Sequence, residues 1–89
     1  MAWRVEFTAT AEKSLDRLDR KQALRILDFM HERLARRDNP RSLGEPLKGQ
    51  KFANLWKYRV GDFRVICAIE DDVLRVLVVR IGHRLEIYR

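Results

Sequence analysis

Apolar and polar positions change rhythm twice along this chain. At the start, "WRVEF" (3–7) sets Trp3, Val5 and Phe7 against Arg4 and Glu6, the alternation of a strand with one buried face. Over residues 8–38 the period lengthens. Ala11, Leu15 and Leu18 are spaced by four and three, and Ala23, Ile26, Leu27, Met30 and Leu34 continue at helical intervals, which predicts two amphipathic helices. Thr8 or Thr10 is positioned to cap the first and Asp19 the second. The stretch "DNPRSLGEP" (38–46), with two prolines, a glycine and an asparagine, reads as the loop leaving the helical hairpin. The period then falls to two in "LWKYRV" (55–60), "FRVICAI" (63–69) and "VLRVLVVRI" (73–81). These are three successive strands, joined at Gly61-Asp62 and at the acidic turn of Glu70, Asp71 and Asp72. The expected order is β-α-α-β-β-β: an α+β domain spanning 1–89, its helical hairpin packed on one face of a small, twisted, mainly antiparallel sheet.

Gly61-Asp62 fits a two-residue type II′ turn, and that fixes a register. Val60 faces Phe63, Arg59 faces Arg64, Tyr58 faces Val65, Lys57 faces Ile66 and Trp56 faces Cys67. Side chains alternate across a strand, so Trp56, Tyr58, Val60, Phe63, Val65, Cys67 and Ile69 form one apolar face that belongs under the helices. Lys57, Arg59 and Arg64 fall on the other, joined by Arg75, Leu77 and Val79 of the third strand. Slipping by one residue would bury the cations, so the register is strongly specified. Like charges directly opposite one another destabilise a sheet on a scale of roughly 0.2–1 kcal/mol, and no acidic side chain is expected on that face to offset them. Two readings are open: a solvated face, whose repulsion salt screens, or an anion site.

Composition narrows the choice only in part. The 89 residues carry 19 Lys and Arg against 13 Asp and Glu, a net charge of +6. That balance points to nucleic acid, an acidic protein or an anionic membrane surface. The excess leans to the C-terminal half, with 9 basic and 5 acidic residues over 47–89 against 10 and 8 over 1–46. Arginine outnumbers lysine by 14 to 5, and its planar fork matches phosphate oxygens. The single cysteine, Cys67, forms no internal disulfide and suits a reducing compartment. With no signal-peptide pattern and no long apolar span, a cytoplasmic protein with no membrane partner is expected.

The chain ends in "IGHRLEIYR" (81–89). Gly82 permits a bend after which His83, Arg84 and Tyr88 follow in quick succession, types that supply proton transfer, charge stabilisation and base stacking. On spacing alone they read equally well as a surface histidine, a partner for Glu86 and a core cap. Cys67 is expected to be a buried small hydrophobe, Trp3 and Trp56 to pack in the core or on the sheet, and His31 to have no role. The basic run "RLARRD" (33–38) either contacts RNA or serves the helix dipole.

Taken together, "FTATAEKSLDRL", the P-L-K-G at 46–49, "LWKYRVGDFRVIC", the acidic turn and the ending "RIGHRLEIYR" resemble the RelE-type toxins of type II toxin–antitoxin systems, within the RelE/ParE superfamily. The likeness covers nearly the whole chain. It implies a microbial RNase fold whose concave basic surface cleaves messenger RNA in the A site of the 70S ribosome. The implied chemistry is attack of a ribose 2′-hydroxyl on the adjacent phosphodiester, leaving a 2′,3′-cyclic phosphate and a 5′-hydroxyl, with no cofactor and no metal. By resemblance, Lys57 and Arg59 are the basic pair of the first hairpin strand, Arg64 grips the scissile phosphate, Arg84 is the C-terminal catalytic arginine, and Tyr88 stacks on or activates the substrate. His83 stands where the best-known members carry a basic residue and is a candidate acid or base. Arg59 replaces a lysine and is a poor general base, because a guanidinium stays protonated. A RelB-type antitoxin is implied as partner, with operator DNA reached only through it. The rival functions are a ParE-like action on DNA gyrase and a catalytically silent binding module.

Overall fold

The computed structural model describes residues 3–47 and 54–83. Strand β1 (Arg4–Phe7) leads into helix α1 (Ala9–Arg17) and helix α2 (Arg20–Asp28). Thr8, not Thr10, caps α1, its hydroxyl accepting from Ala11 N at 3.1 Å. Asp19 caps α2 by accepting from Gln22 N at 2.8 Å. Beyond Asp28 the helix widens into a π-helical segment, Phe29–Leu34. The four-residue interval Ile26, Met30, Leu34 suits that wider turn, and all three side chains are fully buried.

A 3₁₀ turn, Pro40–Leu43, precedes the two-residue strand β2 (Glu45–Pro46). That strand lies inside the segment expected to be loop. Strands β3 (Leu55–Val60), β4 (Phe63–Glu70) and β5 (Arg75–His83) follow, with a 3₁₀ turn at Asp71–Val73 between the last two. The sheet order is β1-β5-β4-β3-β2, with β1 parallel to β5 and every other pair antiparallel.

The β3–β4 register is the expected one at every pair from Val60–Phe63 to Trp56–Cys67. Gly61 has φ +60° while Asp62 is not in the positive-φ region, the pattern of a II′ turn. The inner face buries Tyr58, Val60, Val65, Cys67, Ile69, Val76, Val78 and Ile81 against Ala11, Ile26, Met30 and Leu34. Trp3 joins this core, as expected, and ties the start of β1 to the helical layer by donating from its backbone N–H to Ala35 O at 2.8 Å.

β5 departs from strict alternation. Cys67 pairs with Val78 but Ile66 pairs with Arg80, so Val79 and Arg80 together face one residue of β4. This is a β-bulge, which adds one residue to one strand. Val78 and Ile81 both stay in the core, and the parity of every β5 residue beyond Val79 is reversed.

Candidate phosphate-binding face

The pairings lay out the outer face of the sheet in rows. Arg59, Arg64 and Gly82 form one row across β3, β4 and β5; Lys57, Ile66 and Arg80 form the next. Then come Leu55, Ala68 and Leu77, extended by Glu6 of β1, and finally Glu70, Arg75 and Arg4. Cations therefore gather at the hairpin end, an apolar band crosses the middle, and acids and bases interleave at the far end.

Lys57, Arg59 and Arg64 line one depression of about 270 Å³ with Leu43, Gly44 and Glu45. The three sequence-predicted cations are thus brought together. Arg64 donates to the Phe63 carbonyl at 3.3 Å, and neither Arg59 nor Arg64 meets a carboxylate among the described residues. Arg59 remains exposed and also borders a groove on the helical side, lined by Arg25, Phe29 and Arg33.

Two residues of this surface escaped the sequence reading. The first is Glu45, whose carboxylate lies 3.6 Å from Lys57 Nζ and directly across from it in the β2–β3 ladder. An acidic side chain therefore does sit among the cations. Its placement depends on the 3₁₀ turn. The buried Tyr58 hydroxyl donates to the Pro40 carbonyl at 3.0 Å, and burial pushes that phenol well above its usual range. Gly44 passes so close to the strand that a Cβ there would fall 2.6 Å from the Tyr58 ring and 2.8 Å from the Lys57 carbonyl. A side chain at 44 would lift Glu45 off the site. Proline after it is compatible with an edge strand, where no ladder N–H is needed. The second is Arg80, which the bulge turns outward and leaves exposed. Its signal in the sequence is the odd interval between Val78 and Ile81, three residues where alternation requires two or four.

The same bulge sets His83 on the other face from the cations. His83 pairs with Phe63 and meets its ring edge-on, centroids 5.9 Å apart, so it lies on the helical side of the sheet, opposite to Arg64. Arg84 and Tyr88 lie outside the described residues. His31 is exposed and Cys67 buried; burial raises the Cys67 thiol far above its usual range. Trp56 packs, partly buried, against the core with the Arg41 guanidinium 5.9 Å from its ring. In "RLARRD", Arg33 covers the Phe29 ring at 5.5 Å and Arg36 pairs with Glu32 at 2.9 Å, contacts within the helical layer itself.

The far end of the same face is built otherwise. Arg75 donates to Glu70 at 2.6 and 3.1 Å and to Glu6 at 3.0 Å. These bonds, to Glu70 foremost, raise its guanidinium above the ordinary value. Arg4 reaches Glu6 at 3.7 Å.

No helix among the described residues is long and apolar enough to cross a membrane. Comparison with known proteins places this geometry. The family described as the ParE toxin of the type II toxin–antitoxin system parDE matches residues 5–88. Toxin RelE of Mycobacterium tuberculosis is 38% identical over 87 residues, 98% of this chain and 87% of that one. Toxin RelG of the same organism is 32% identical over 89 residues, 100% and 99% of the two chains. Among solved structures, a chain of the M. tuberculosis RelBE2 toxin–antitoxin complex superposes with a TM-score of 0.85 at 28% identity, covering 97% of this chain and 95% of that one. An archaeal RelE–RelB complex from Pyrococcus horikoshii shares the fold, with a TM-score of 0.76 at 24% identity over 97% of this chain and 99% of that one. A two-helix layer on a five-stranded mixed sheet, with an arginine-rich outer face and this sequence likeness, makes the chain a member of the ParE-toxin family: a RelE-like toxin of a type II toxin–antitoxin system.

Proposed function

We propose that the protein is a metal-independent endoribonuclease that cuts messenger RNA in the ribosomal A site and so arrests translation. The observation that carries this reading is the depression shared by Lys57, Arg59, Arg64 and Glu45, in which two arginines face each other without a carboxylate partner among the described residues. Cleavage by an internal 2′-hydroxyl needs a proton acceptor, stabilisation of charge on phosphorus, and a proton for the departing oxygen. Arg64 and Arg59 supply the second as charge-assisted donors to the non-bridging oxygens. They cannot act as bases, because a guanidinium is not deprotonated in proteins. Of the side chains lining the depression, Glu45 is the carboxylate and takes the 2′-hydroxyl proton as the new O–P bond forms, while Lys57 holds that carboxylate in place. The bond from phosphorus to the 5′ oxygen then breaks, and the departing oxygen takes its proton from solvent water, leaving a 2′,3′-cyclic phosphate and a 5′-hydroxyl. Arg84 and Tyr88 stay in the proposal by resemblance, Arg84 for charge on the leaving side and Tyr88 for stacking on or activating the substrate.

A RelB-type antitoxin is the proposed partner, as in the RelBE complexes to which the chain is similar, with operator DNA engaged only through it. The 70S ribosome and its message are the proposed target, in the cytoplasm. The name of the matched family keeps one rival in view, a ParE-like block of DNA gyrase. Primer extension on a translating message decides between them. A-site cuts that disappear in Arg64→Ala and Arg84→Ala, with both variants still binding antitoxin, support the ribonuclease; inhibited supercoiling with intact message supports the rival.

A further inference from the structure

The bulge in β5 bears on how substrate lies across the site, an inference resting on the ribonuclease reading above. Without the extra residue, alternation would send Arg80 into the core between Val78 and the helices. With it, Ile81 takes the inward place, 5% exposed beside Val65, and Arg80 joins the row of Lys57 and Ile66. A bulge leaves one residue unpaired and interrupts the ladder; such irregularities recur where a side chain must be re-aimed beside a site. Arg80 is exposed and has no carboxylate partner among the described residues, unlike Arg75 on the same strand. Between Lys57 and Arg80 lies Ile66, only 4% exposed, an apolar floor that separates the two cationic stems by two interstrand spacings, about 9.6 Å. Cationic groups carried on those two stems can reach one phosphate from either side. The row lies two residues from the Arg59–Arg64 row, a displacement of about 6.7 Å along the strands, on the scale of one nucleotide of extended RNA.

We infer that Arg80 is a phosphate-positioning residue: with Lys57 it holds the phosphate next to the scissile one, so that single-stranded RNA runs along the strands from the Arg64 row to the Arg80 row. Its task is to place the substrate, not to react with it.

The test is binding of a short single-stranded RNA carrying 2′-deoxyribose at the cleavage position, followed over a range of salt concentrations. Each phosphate contact on a single strand contributes about 0.7 to the slope of log affinity against log salt. Arg80→Ala is expected to shallow the slope by about 0.7, Arg80→Lys to retain it, and Arg20→Ala, which removes the same charge from exposed α2, to leave it unchanged. Equal slopes for wild type and Arg80→Ala, or an equal loss in Arg20→Ala, overturn the assignment while leaving the ribonuclease reading intact. So does an Arg80→Ala variant that binds RNA normally and loses only antitoxin affinity. A wild-type protein that fails to bind the oligonucleotide even at low salt overturns the assignment too, whereas the ribonuclease reading falls only if primer extension shows no A-site cuts, which separates the two failures. Thermal melting of each variant confirms the fold.

Discussion

Two pairs of arginines stand directly across from one another on the outer face of this sheet: Arg4 opposite Arg75 at one end, Arg59 opposite Arg64 at the other. The electrostatic problem is the same in both places and the solutions differ. At the first, Glu6 and Glu70 are threaded between the guanidiniums, and every described contact of Arg75 ends on a carboxylate. At the second, Glu45 reaches Lys57 but neither arginine. A sheet that merely tolerates arginine on a solvated face has the means to neutralise it, as the first pair demonstrates. Among the described residues the second pair has no such neutralisation, and the natural completion is an anion from outside. Repulsion of this kind is modest, on a cross-strand scale of roughly 0.2–1 kcal/mol, so the fold carries it while keeping the site open.

The largest test of this contrast is Glu45→Gln. If the carboxylate at the cationic end accepts a proton, the amide removes the acceptor while keeping shape, and message cleavage on ribosomes should fall by about 10²–10⁴-fold. An unchanged rate would leave Glu45 as no more than a tether for Lys57. Next in size is Arg64→Ala, expected to slow cleavage by about 10²–10³-fold through loss of charge stabilisation. Stability should stay within about 0.5 kcal/mol, as is usual for a substitution outside the core. The same change at Arg75 should do the reverse, lowering the melting temperature and sparing cleavage.

A third variant converts one end into the other. Gly82 sits directly across from Arg64 and its φ is not in the positive range, so Gly82→Asp introduces a carboxylate without backbone strain. It should stabilise the protein by roughly 0.2–1 kcal/mol, the worth of an opposite-charge cross-strand pair, and weaken RNA binding at the same time. Denaturant melts and RNA affinity, measured together, read both effects. Stabilisation without loss of binding would mean that the gap beside Arg64 serves no ligand.

How much of this was visible in the residues themselves follows from parity. The β3–β4 hairpin could be placed residue by residue, because a two-residue turn and an unbroken alternation leave one register that keeps seven apolar side chains inward. The cationic triad came with it. Parity misled in β5, where counting by twos from Arg75 through Leu77 and Val79 puts Arg80 on the inner face. One bulged residue reverses that count, turning Arg80 outward and His83 to the helical side. Glu45 was hidden for a different reason. A two-residue strand containing proline carries no periodicity, and what holds it is the remote contact of Tyr58 with Pro40 and the close passage of Gly44. Local pattern cannot announce a contact between positions 18 residues apart.

The smallest expected effect separates paired from unpaired arginines by pH. Arg41 grips Asp71 with two bonds of 3.0 and 2.6 Å, and that bidentate bond holds the Asp71 carboxyl below its usual value. A carboxyl with a folded value below its unfolded one stabilises the fold above the unfolded value, and the contribution is lost as pH falls through the folded one. Asp71→Asn should therefore melt below wild type at neutral pH, with the gap closing as the solution is acidified past the ordinary carboxylate range. Arg59→Ala supplies the contrast. Its guanidinium bonds no carboxylate among the described residues, so any melting difference from wild type should run flat through the same interval. Parallel acid profiles for the two variants would erase the distinction between the clamped arginines of this protein and those it holds ready for a ligand.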